Sequence, residues 1–243
     1  MSRYSWIVFD ADGTLFDYDR AERSALARTC GQHGLEFDSE VHRLFGKINK
    51  PLWVALEQGE ISSQRLRVQR FEELAEALEV ELSASVFSDD YLLNLGAECV
   101  LLPGADEVVE DLSRDHGLAL ATNGIAEVQR SRFSASSIKP HFSALVISEE
   151  VGFAKPDTGF FSELFSQIGD PAKAEVLIVG DSLSSDIAGG EGFGIDTCWF
   201  NPSGESNESS VTPTYVISNL SEILEIVRGV RPAMIGNTRP ILG

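Results

Sequence analysis

The chain has 243 residues, of which 43% are hydrophobic and 23% are charged, and these ordinary globular proportions exclude a largely disordered protein. Its length allows one large domain or two unequal domains. The formal net charge of −19 opposes a surface that follows the phosphates of a nucleic acid polymer, and it equally opposes attachment to a membrane through basic residues.

The three cysteines, Cys30, Cys99 and Cys198, are far apart and form no CxxC or Cys/His pattern. This spacing predicts reduced thiols, and neither a zinc site nor a disulfide framework. No run of about 18 apolar residues occurs, and the first residues show no apolar stretch of the signal-peptide type. We therefore predict a soluble, cytoplasmic protein.

The first elements in chain order are one strand and a long helical region. The apolar run Trp6–Phe9 predicts a buried strand. From Tyr18 to about Leu95 apolar residues recur at helical spacing, which predicts about four helices in a separate bundle. The breaks between these helices are expected at three places: near Gly34, at 59–62 and at 81–85.

After residues 102–104, strand-like and helix-like segments alternate. Further strands are predicted at 118–121, 144–148, 176–179, 197–200 and 215–217. Helices are predicted at 105–116, from the TNG motif to about 133, at 156–168 and at 183–191. Pro156 is expected in the first turn of its helix. A last helix is predicted from Asn219, as N-cap, to about 228.

Short apolar strands that alternate with helices indicate an α/β protein with a Rossmann-like parallel sheet, covered by helices on both faces. We predict a core made of residues 1–17 and 100–229, a helical-bundle domain at 18–99 and a loosely held tail at 230–243. Three predicted strands end in polar motifs: DADGT, TNG and GDS. Since ligands of such sheets bind beyond the carboxyl ends of the strands, these motifs are expected to meet in one crevice.

The first motif places Asp10 and Asp12 two residues apart, just past a buried strand, with Gly13 allowing a tight turn. Two carboxylates this close repel each other unless a cation lies between them or one acts as an acid. Taken alone, the motif is equally compatible with a turn that carries solvated acids.

The second and third motifs supply groups that suit a phosphate. Thr122 and Asn123 offer a hydroxyl, an amide and backbone N–H groups at a helix N-terminus, although an ordinary turn has the same composition. Lys155, in the stretch FAKPD, is placed to direct its ammonium group into the crevice, although a lone lysine is by default a solvated surface residue.

The fourth motif, GDSLSSD, places Asp181 at a strand end and Asp186 one turn into the next helix. Oxygen ligands combined with a substrate phosphate suit Mg²⁺. The alternative is a capping aspartate followed by a surface aspartate. Each motif has such an ordinary explanation, but the four together, each at a junction between a strand and a helix, are hard to explain by chance.

DADGT, TNG, the AKPD lysine and GDSLSSD resemble the four motifs of the haloacid dehalogenase-like hydrolases, and the helical region resembles the C1-type cap of that superfamily. The resemblance implies that Asp10 is the nucleophile, which forms an aspartyl-phosphate, and that Asp12 is the general acid and base. It implies phosphate binding by Thr122 and Lys155, with Asn123 and Gly124 assisting. Mg²⁺ would be held by Asp10, the backbone carbonyl of Asp12 and Asp181, with Asp186 in support.

Further stretches resemble one branch of the superfamily, the pyrimidine 5′-nucleotidases that act on non-canonical nucleotides: FDADGTLFDYDRAE, INKPLWVALEQGEIS, RFEEL and ISEEVGFAKPD. The resemblance implies a phosphate ester substrate, specifically a nucleotide. In the cap, Lys47, Asn49, Lys50 and Trp53 are candidates for contact with the leaving group, since an indole stacks on a base and polar groups bind its edge. The alternative is that Trp53 belongs to the core of the cap and that the lysines are solvated.

Other functions stay open at this stage. The enzymatic alternatives are a phosphoglycolate or sugar-phosphate phosphatase, a sugar-phosphate mutase and a dehalogenase. The dehalogenases lack the acid two residues after the nucleophile, so Asp12 counts against them. A non-catalytic binding protein has no need for four clustered charged residues. The oligomeric state is expected to be a monomer or a homodimer.

Overall fold

The computed structural model describes residues 2–230, so the predicted loose tail at 230–243 lies outside it except for Val230. The predicted α/β class is confirmed: these residues form a parallel sheet of six strands in the order β3-β2-β1-β4-β5-β6. The strands are β1 Trp6–Phe9, β2 Gly117–Thr122, β3 Ala144–Ile147, β4 Val176–Gly180, β5 Asp196–Phe200 and β6 Tyr215–Ile217.

Helices cover both faces of this sheet, so its strands are apolar on both sides. Ile7 and Phe9 of β1 pack into one hydrophobic cluster, and Val8 between them packs into another on the opposite face. β1 lies in the middle of the sheet, between β2 and β4. The segment that follows β1 is therefore flanked by the segments that follow β2 and β4.

Four helices lie between β1 and β2 in the sequence, and we call them the helical insert: α1 Tyr18–Gln32, α2 Ser39–Glu57, α3 Ser63–Ala77 and α4 Ala84–Ala97. The first three each begin where a side chain accepts a backbone N–H of the first turn: that of Asp17, Asp38 or Ser62. The breaks between the helices fall where the sequence predicts them.

The interior of the helical insert is aromatic. Phe45 and Phe71 stack with ring centroids 5.5 Å apart, and Tyr91 lies 5.1 Å from Phe71. The same hydrophobic cluster includes Ile125 and Val128, which lie outside the insert, next to the end of β2. The insert therefore packs on the sheet-containing part of the chain near the end of β2. The division into separate domains at 17/18 and 99/100 stays a prediction.

The remaining helices are α5 Ala105–Ser113, α6 Ala126–Ala135, α7 Ser148–Val151, α8 Thr158–Gln167, α9 Ala188–Phe193 and α10 Glu222–Val227. Three details of the sequence prediction are wrong. The helix predicted from Pro156 begins at Thr158, because the Asp157 carboxylate accepts the N–H of Gly159 at 2.7 Å. The helix predicted at 183–191 starts with a wider π-helical turn, Leu183–Ile187.

The third detail is the start of α10. Asn219 does not cap this helix, whose N-cap is Ser221. Instead, the Glu222 carboxylate accepts the backbone N–H groups of Asn219 and Ser218 at 2.8 and 2.9 Å. The Glu222 carboxylate therefore reaches back to backbone N–H groups just before the helix, as the glutamate of a capping box does.

Candidate active site

Three neighbouring strands bring the predicted site residues together. Asp10 follows the last residue of β1, Thr122 ends β2, and Asp181 follows the last residue of β4. The pairing is in register, since Phe9 of β1 lies opposite Leu120 and Val179 on its two neighbours. The polar segments after these strands therefore open at one edge of the sheet.

Lys155 lies at the centre of this edge and is almost completely buried, at 1% exposure. Its Nζ donates to Asp10 Oδ1 and to Asp186 Oδ1, both at 2.6 Å, and to the carbonyl oxygen of Ala121 at 2.8 Å. Burial by itself lowers the pKa of Lys155, but Asp10 and Asp186 outweigh it, so the pKa is raised. The ammonium group stays charged and neutralises part of the carboxylate cluster.

Asp10 and Asp186 are buried with this lysine. Burial raises the pKa of Asp10 well above its usual value, although Lys155 opposes the shift. Asp186 uses both of its carboxylate oxygens, since Oδ1 accepts from Lys155 and Oδ2 accepts the backbone N–H of Ser182 at 3.1 Å. Asp186 therefore holds the lysine and the loop that follows β4 in one fixed arrangement.

Asp181 faces the open side of the site. Its Oδ1 accepts from the Thr14 hydroxyl at 3.2 Å, and its backbone carbonyl accepts from the Trp199 indole at 2.9 Å. Desolvation in the cleft and the Asp186 carboxylate raise the pKa of Asp181 to about 7. Gly13 has φ +82°, and a Cβ there would lie 2.6 Å from Asp181 Oδ2. This position therefore requires glycine for both its backbone conformation and its close approach to Asp181.

The carboxylate cluster fits a divalent cation. One oxygen each from Asp10, Asp181 and Asp186 lies within 4.8 Å of the others. Three carboxylates face a single ammonium group there, so negative charge is in excess. All the offered donors are hard oxygen atoms, which is the ligand type that Mg²⁺ prefers. Asp12, the fourth predicted metal residue, contributes no side-chain oxygen to this cluster.

The other predicted phosphate-binding residues, Thr122, Asn123 and Gly124, lie at the end of β2 beside Lys155. The Asn123 amide makes a two-way contact with Lys155: its Nδ2 donates to the carbonyl of Lys155 at 2.9 Å, and its Oδ1 accepts the N–H of Lys155 at 2.8 Å. Thr122 Oγ1 accepts the N–H of Gly124 at 3.0 Å. The Asn123 side chain thus ties the loop after β2 to the loop that carries Lys155.

Two residues that the sequence interpretation missed hold Asp12. Gln129 Nε2 donates to Asp12 Oδ2 at 2.6 Å and to Thr122 Oγ1 at 3.0 Å. The Arg132 guanidinium contacts Asp12 Oδ1, and its Nε donates to the carbonyl of Glu98 at 3.0 Å. Gln129 and Arg132 are three residues apart on α6, so they share one face, but nothing in the local sequence marks that face as buried.

Of the candidates on α2, Trp53 reaches a cleft of about 260 Å³ between the helical insert and the sheet, which Asn123 and Phe153 also line. It packs against the core of the insert as well. Its contact with a leaving group stays a prediction. Asn49 is buried inside the insert, where its Nδ2 donates to Glu22 Oε2 at 3.0 Å. Lys47 and Lys50 are exposed and do not line this cleft.

The sequence matches a known protein family. The model of the haloacid dehalogenase-like hydrolase family matches residues 4–194, which is most of the chain. The chain belongs to the haloacid dehalogenase-like hydrolase family. The superfamily resemblance that the sequence motifs carry is therefore confirmed.

Two relatives within this hydrolase family are each 35% identical to the chain. One is the pyrimidine 5′-nucleotidase YjjG of Escherichia coli, with a match that covers 93% of this chain and 98% of that protein. The other is the pyrimidine 5′-nucleotidase PynA of Streptococcus pneumoniae, with a match that covers 91% and 94%. Among solved structures, the HAD-hydrolase YfnB of Bacillus subtilis has a TM-score of 0.88 at 32% identity and covers 93% of this chain and 99% of its own.

Asp12 and Asp181 line a second cleft of about 650 Å³, on the side of β4 and β5. Within residues 2–230 no helix combines the length and apolar composition that a membrane crossing would need.

Proposed function

We propose that this protein is a Mg²⁺-dependent phosphomonoesterase that hydrolyses nucleoside 5′-monophosphates, with pyrimidine nucleotides as preferred substrates. The observation that carries the phosphatase proposal is the buried Asp10–Lys155–Asp186 arrangement, with Asp12 two residues after Asp10. An acid at position 12 can protonate the leaving oxygen of a phosphate ester. A halide leaves without a proton, so a dehalogenase does not need this acid. The nucleotide proposal is supported by the two nucleotidase relatives.

The proposed reaction has two steps at Asp10. In the first, its carboxylate attacks phosphorus, the bond from phosphorus to the ester oxygen breaks, and Asp12 donates a proton to that oxygen. In the second, Asp12 accepts a proton from water, which attacks the aspartyl-phosphate and releases inorganic phosphate. Gln129 and Arg132 fix the direction of the Asp12 carboxylate for both steps.

The negative charge of the phosphoryl group needs compensation in this acidic site. Lys155 supplies a charge that is already desolvated, and the Thr122 hydroxyl with the backbone N–H of Asn123 supplies hydrogen-bond donors. Gly124 assists by donating its own N–H to Thr122 Oγ1, which orients that hydroxyl. Mg²⁺, held by Asp10, Asp181 and the backbone carbonyl of Asp12 with Asp186 in support, would add the positive charge that lets a phosphate approach these carboxylates. The relative from Bacillus subtilis is described as bound to magnesium, with interdomain movement, which supports both the metal and a movable cap.

The substrate panel tests the proposal. kcat/KM is measured under one set of conditions for UMP, dUMP, dTMP, AMP, phosphoglycolate and glucose 6-phosphate. The pyrimidine nucleotides are expected to be the best substrates. If phosphoglycolate or the sugar phosphate exceeds every nucleotide by tenfold, which is about 1.4 kcal/mol of transition-state binding, the nucleotidase proposal fails and a general small-molecule phosphatase replaces it. If AMP exceeds UMP by the same factor, only the pyrimidine preference fails.

The free cysteines support a cytoplasmic location for this activity. A monomer or homodimer is the proposed assembly, and gel filtration with light scattering measures it.

A further inference from the structure

The helical insert contains a group of buried polar side chains that the proposed reaction steps do not use. Its five members come from all four helices: Tyr18 and Glu22 from α1, Asn49 from α2, Arg70 from α3 and Tyr91 from α4. We call them the insert's polar cluster. Arg70 and Tyr91 have no exposed surface, and Asn49 is 4% exposed.

Most of the hydrogen-bonding capacity of this cluster is unused. Among residues 2–230, Arg70 Nε and Nη2, the hydroxyls of Tyr18 and Tyr91, and Asn49 Oδ1 have no partner at normal hydrogen-bond geometry. Burial raises the pKa of Glu22 and of Tyr91, and the Tyr18 hydroxyl nevertheless lies close enough to both to oppose that rise. The contact from Asn49 Nδ2 to Glu22 Oε2 at 3.0 Å is an exception. A buried polar group without a partner costs about 1–3 kcal/mol. Five such atoms in one place are therefore expected to meet a ligand or ordered water.

The cluster lies on the Asp12 side of the active site. Arg132, which contacts Asp12, stacks over the ring of Phe16 at 4.8 Å, two residues before Tyr18. Burial is the main cause that raises the pKa of Tyr18 well above its usual value, and the charge of Asp12 adds to the shift. A leaving group that receives a proton from Asp12 must lie on this same side.

We infer that the insert's polar cluster binds the planar, hydrogen-bonding edge of the leaving group, the base of a pyrimidine nucleoside; this inference rests on the proposed function. The edge of uracil or thymine alternates carbonyl acceptors with an N–H donor. The guanidinium N–H groups of Arg70 match the carbonyls, and Asn49 Oδ1 matches the N–H. The guanidinium lies 4.8 Å from the centre of the Tyr91 ring and 5.0 Å from that of Phe71, so two aromatic faces hold it in place.

Charge distinguishes this ligand from the alternatives. Glu22 is mostly buried beside Arg70, and the two groups already offset part of each other's charge. A leaving group that carries its own carboxylate, as in phosphoglycolate, would bring a second negative charge next to Glu22. A neutral base brings none, and it satisfies both the donors and the acceptor of the cluster.

Tyr91→Phe is the decisive variant, because a structural role and a binding role predict opposite effects. Removing a buried hydroxyl that makes no well-formed hydrogen bond leaves stability nearly unchanged or raises it. If the hydroxyl binds the base, the ratio of kcat/KM for UMP to that for p-nitrophenyl phosphate falls, although the protein is at least as stable. Arg70→Met is expected to lower the same ratio about 10- to 100-fold, since it removes hydrogen bonds from a charged donor.

Asn94→Leu is the matched control. Asn94 is also buried in the insert, but its Nδ2 is fully engaged, with Thr29 Oγ1 and Gln32 Oε1 both at 2.8 Å. This variant is expected to lose stability and to keep the substrate ratio. A second readout needs no turnover: uridine, which has no phosphate, raises the melting temperature of the unmodified protein and loses this effect in the Arg70→Met variant.

The outcomes separate this inference from the proposed function. If the protein hydrolyses UMP but Tyr91→Phe and Arg70→Met keep both the substrate ratio and the uridine effect, the cluster is structural and the inference is wrong. If the protein hydrolyses no nucleotide, the proposed function fails, and loss of uridine binding in Arg70→Met still supports the cluster as a base site. If Arg70→Met does not fold, the Tyr91→Phe result decides.

Discussion

Replacing Lys155 by methionine removes the ammonium group that lies among three carboxylates, of which Asp10 and Asp186 are buried and Asp181 is exposed, while keeping nearly the same side-chain length. Lys155 Nζ bonds Asp10 and Asp186 at 2.6 Å and is 1% exposed, so both carboxylates lose their counter-charge in a site that water does not enter freely. Breaking a buried ion pair by removing one partner typically costs about 3–5 kcal/mol. Against a total stability of about 5–15 kcal/mol for a folded protein, this is a large fraction.

The expected loss of stability comes from the two buried carboxylates that lose their counter-charge, and a second substitution tests this cause. In the metal-free Lys155→Met protein, Asp186→Asn removes one of the two stranded charges, so the double variant is expected to be more stable than the single variant. This non-additivity is what a direct charge interaction produces. Added Mg²⁺ is expected to stabilise the Lys155→Met protein more than the unmodified protein, because the ion replaces the missing positive charge.

The assay is urea denaturation at neutral pH, followed by far-ultraviolet circular dichroism, with the midpoint and the slope compared between variants. Lys139→Met, at an exposed lysine on the surface, is the control and is expected to stay within about 0.5 kcal/mol of the unmodified protein. Hydrolysis by Lys155→Met is expected to fall about 10²-fold or more. If Lys155→Met has the same midpoint as the control, or the double variant is no more stable than the single one, the charge argument is refuted.

The remaining predictions concern the site around Asp10. Asp10→Asn is expected to remove release of inorganic phosphate while preserving the circular dichroism spectrum; near-normal turnover, with deamidation excluded by mass spectrometry, would exclude Asp10 as nucleophile. Asp12→Asn is expected to slow the hydrolysis of alkyl phosphate esters by about 10²–10⁴-fold. The hydrolysis of p-nitrophenyl phosphate is expected to slow much less, because p-nitrophenolate leaves with little protonation. An equal loss of rate with both substrates would argue against general acid catalysis by Asp12. Dialysis against EDTA is expected to abolish turnover, and Mg²⁺ to restore it; full turnover in excess EDTA would remove the metal from the proposal. Gly13→Ala forces φ +82° on a residue with a Cβ that would approach Asp181. We therefore expect the free energy of unfolding to fall by about 1–3 kcal/mol and calorimetry to show weaker Mg²⁺ binding. Unchanged stability together with unchanged Mg²⁺ binding would contradict the requirement for glycine at this turn.

Much of the architecture follows from the sequence because local composition decides it. The apolar segments Trp6–Phe9 and Tyr215–Ile217 form strands that begin and end at the residues predicted from the sequence. The breaks between the helices of the insert occur at polar and glycine-containing stretches, where capping groups and turn formers compete with the helix. The motif residues were identifiable because parallel strands place their carboxyl ends at one edge, so position along the chain implied proximity in space.

Helix starts were less predictable, since alternative capping groups lie close together in the sequence. Asp157 caps α8 although Pro156 stands at an acceptable first position. Ser221 is the N-cap of α10 although Asn219, two residues earlier, is an equally good N-cap by residue type. The choice between such neighbours depends on how the helix packs, which the local sequence does not contain.

What only the tertiary structure decided is which charged and polar side chains are buried. Arg70, Arg132 and Gln129 lie in stretches whose composition suits an exposed helix face, yet all three are buried. Arg132 and Gln129 reach Asp12 across more than a hundred residues of sequence, and Arg70 gathers with polar groups from three other helices. Burying a charge costs free energy unless partners compensate it, and those partners come from distant parts of the chain. The sequence alone therefore determined the sheet, the insert and the strand-end motifs, whereas the buried side chains that hold Asp12 and those that gather around Arg70 became identifiable only when the helices packed against one another.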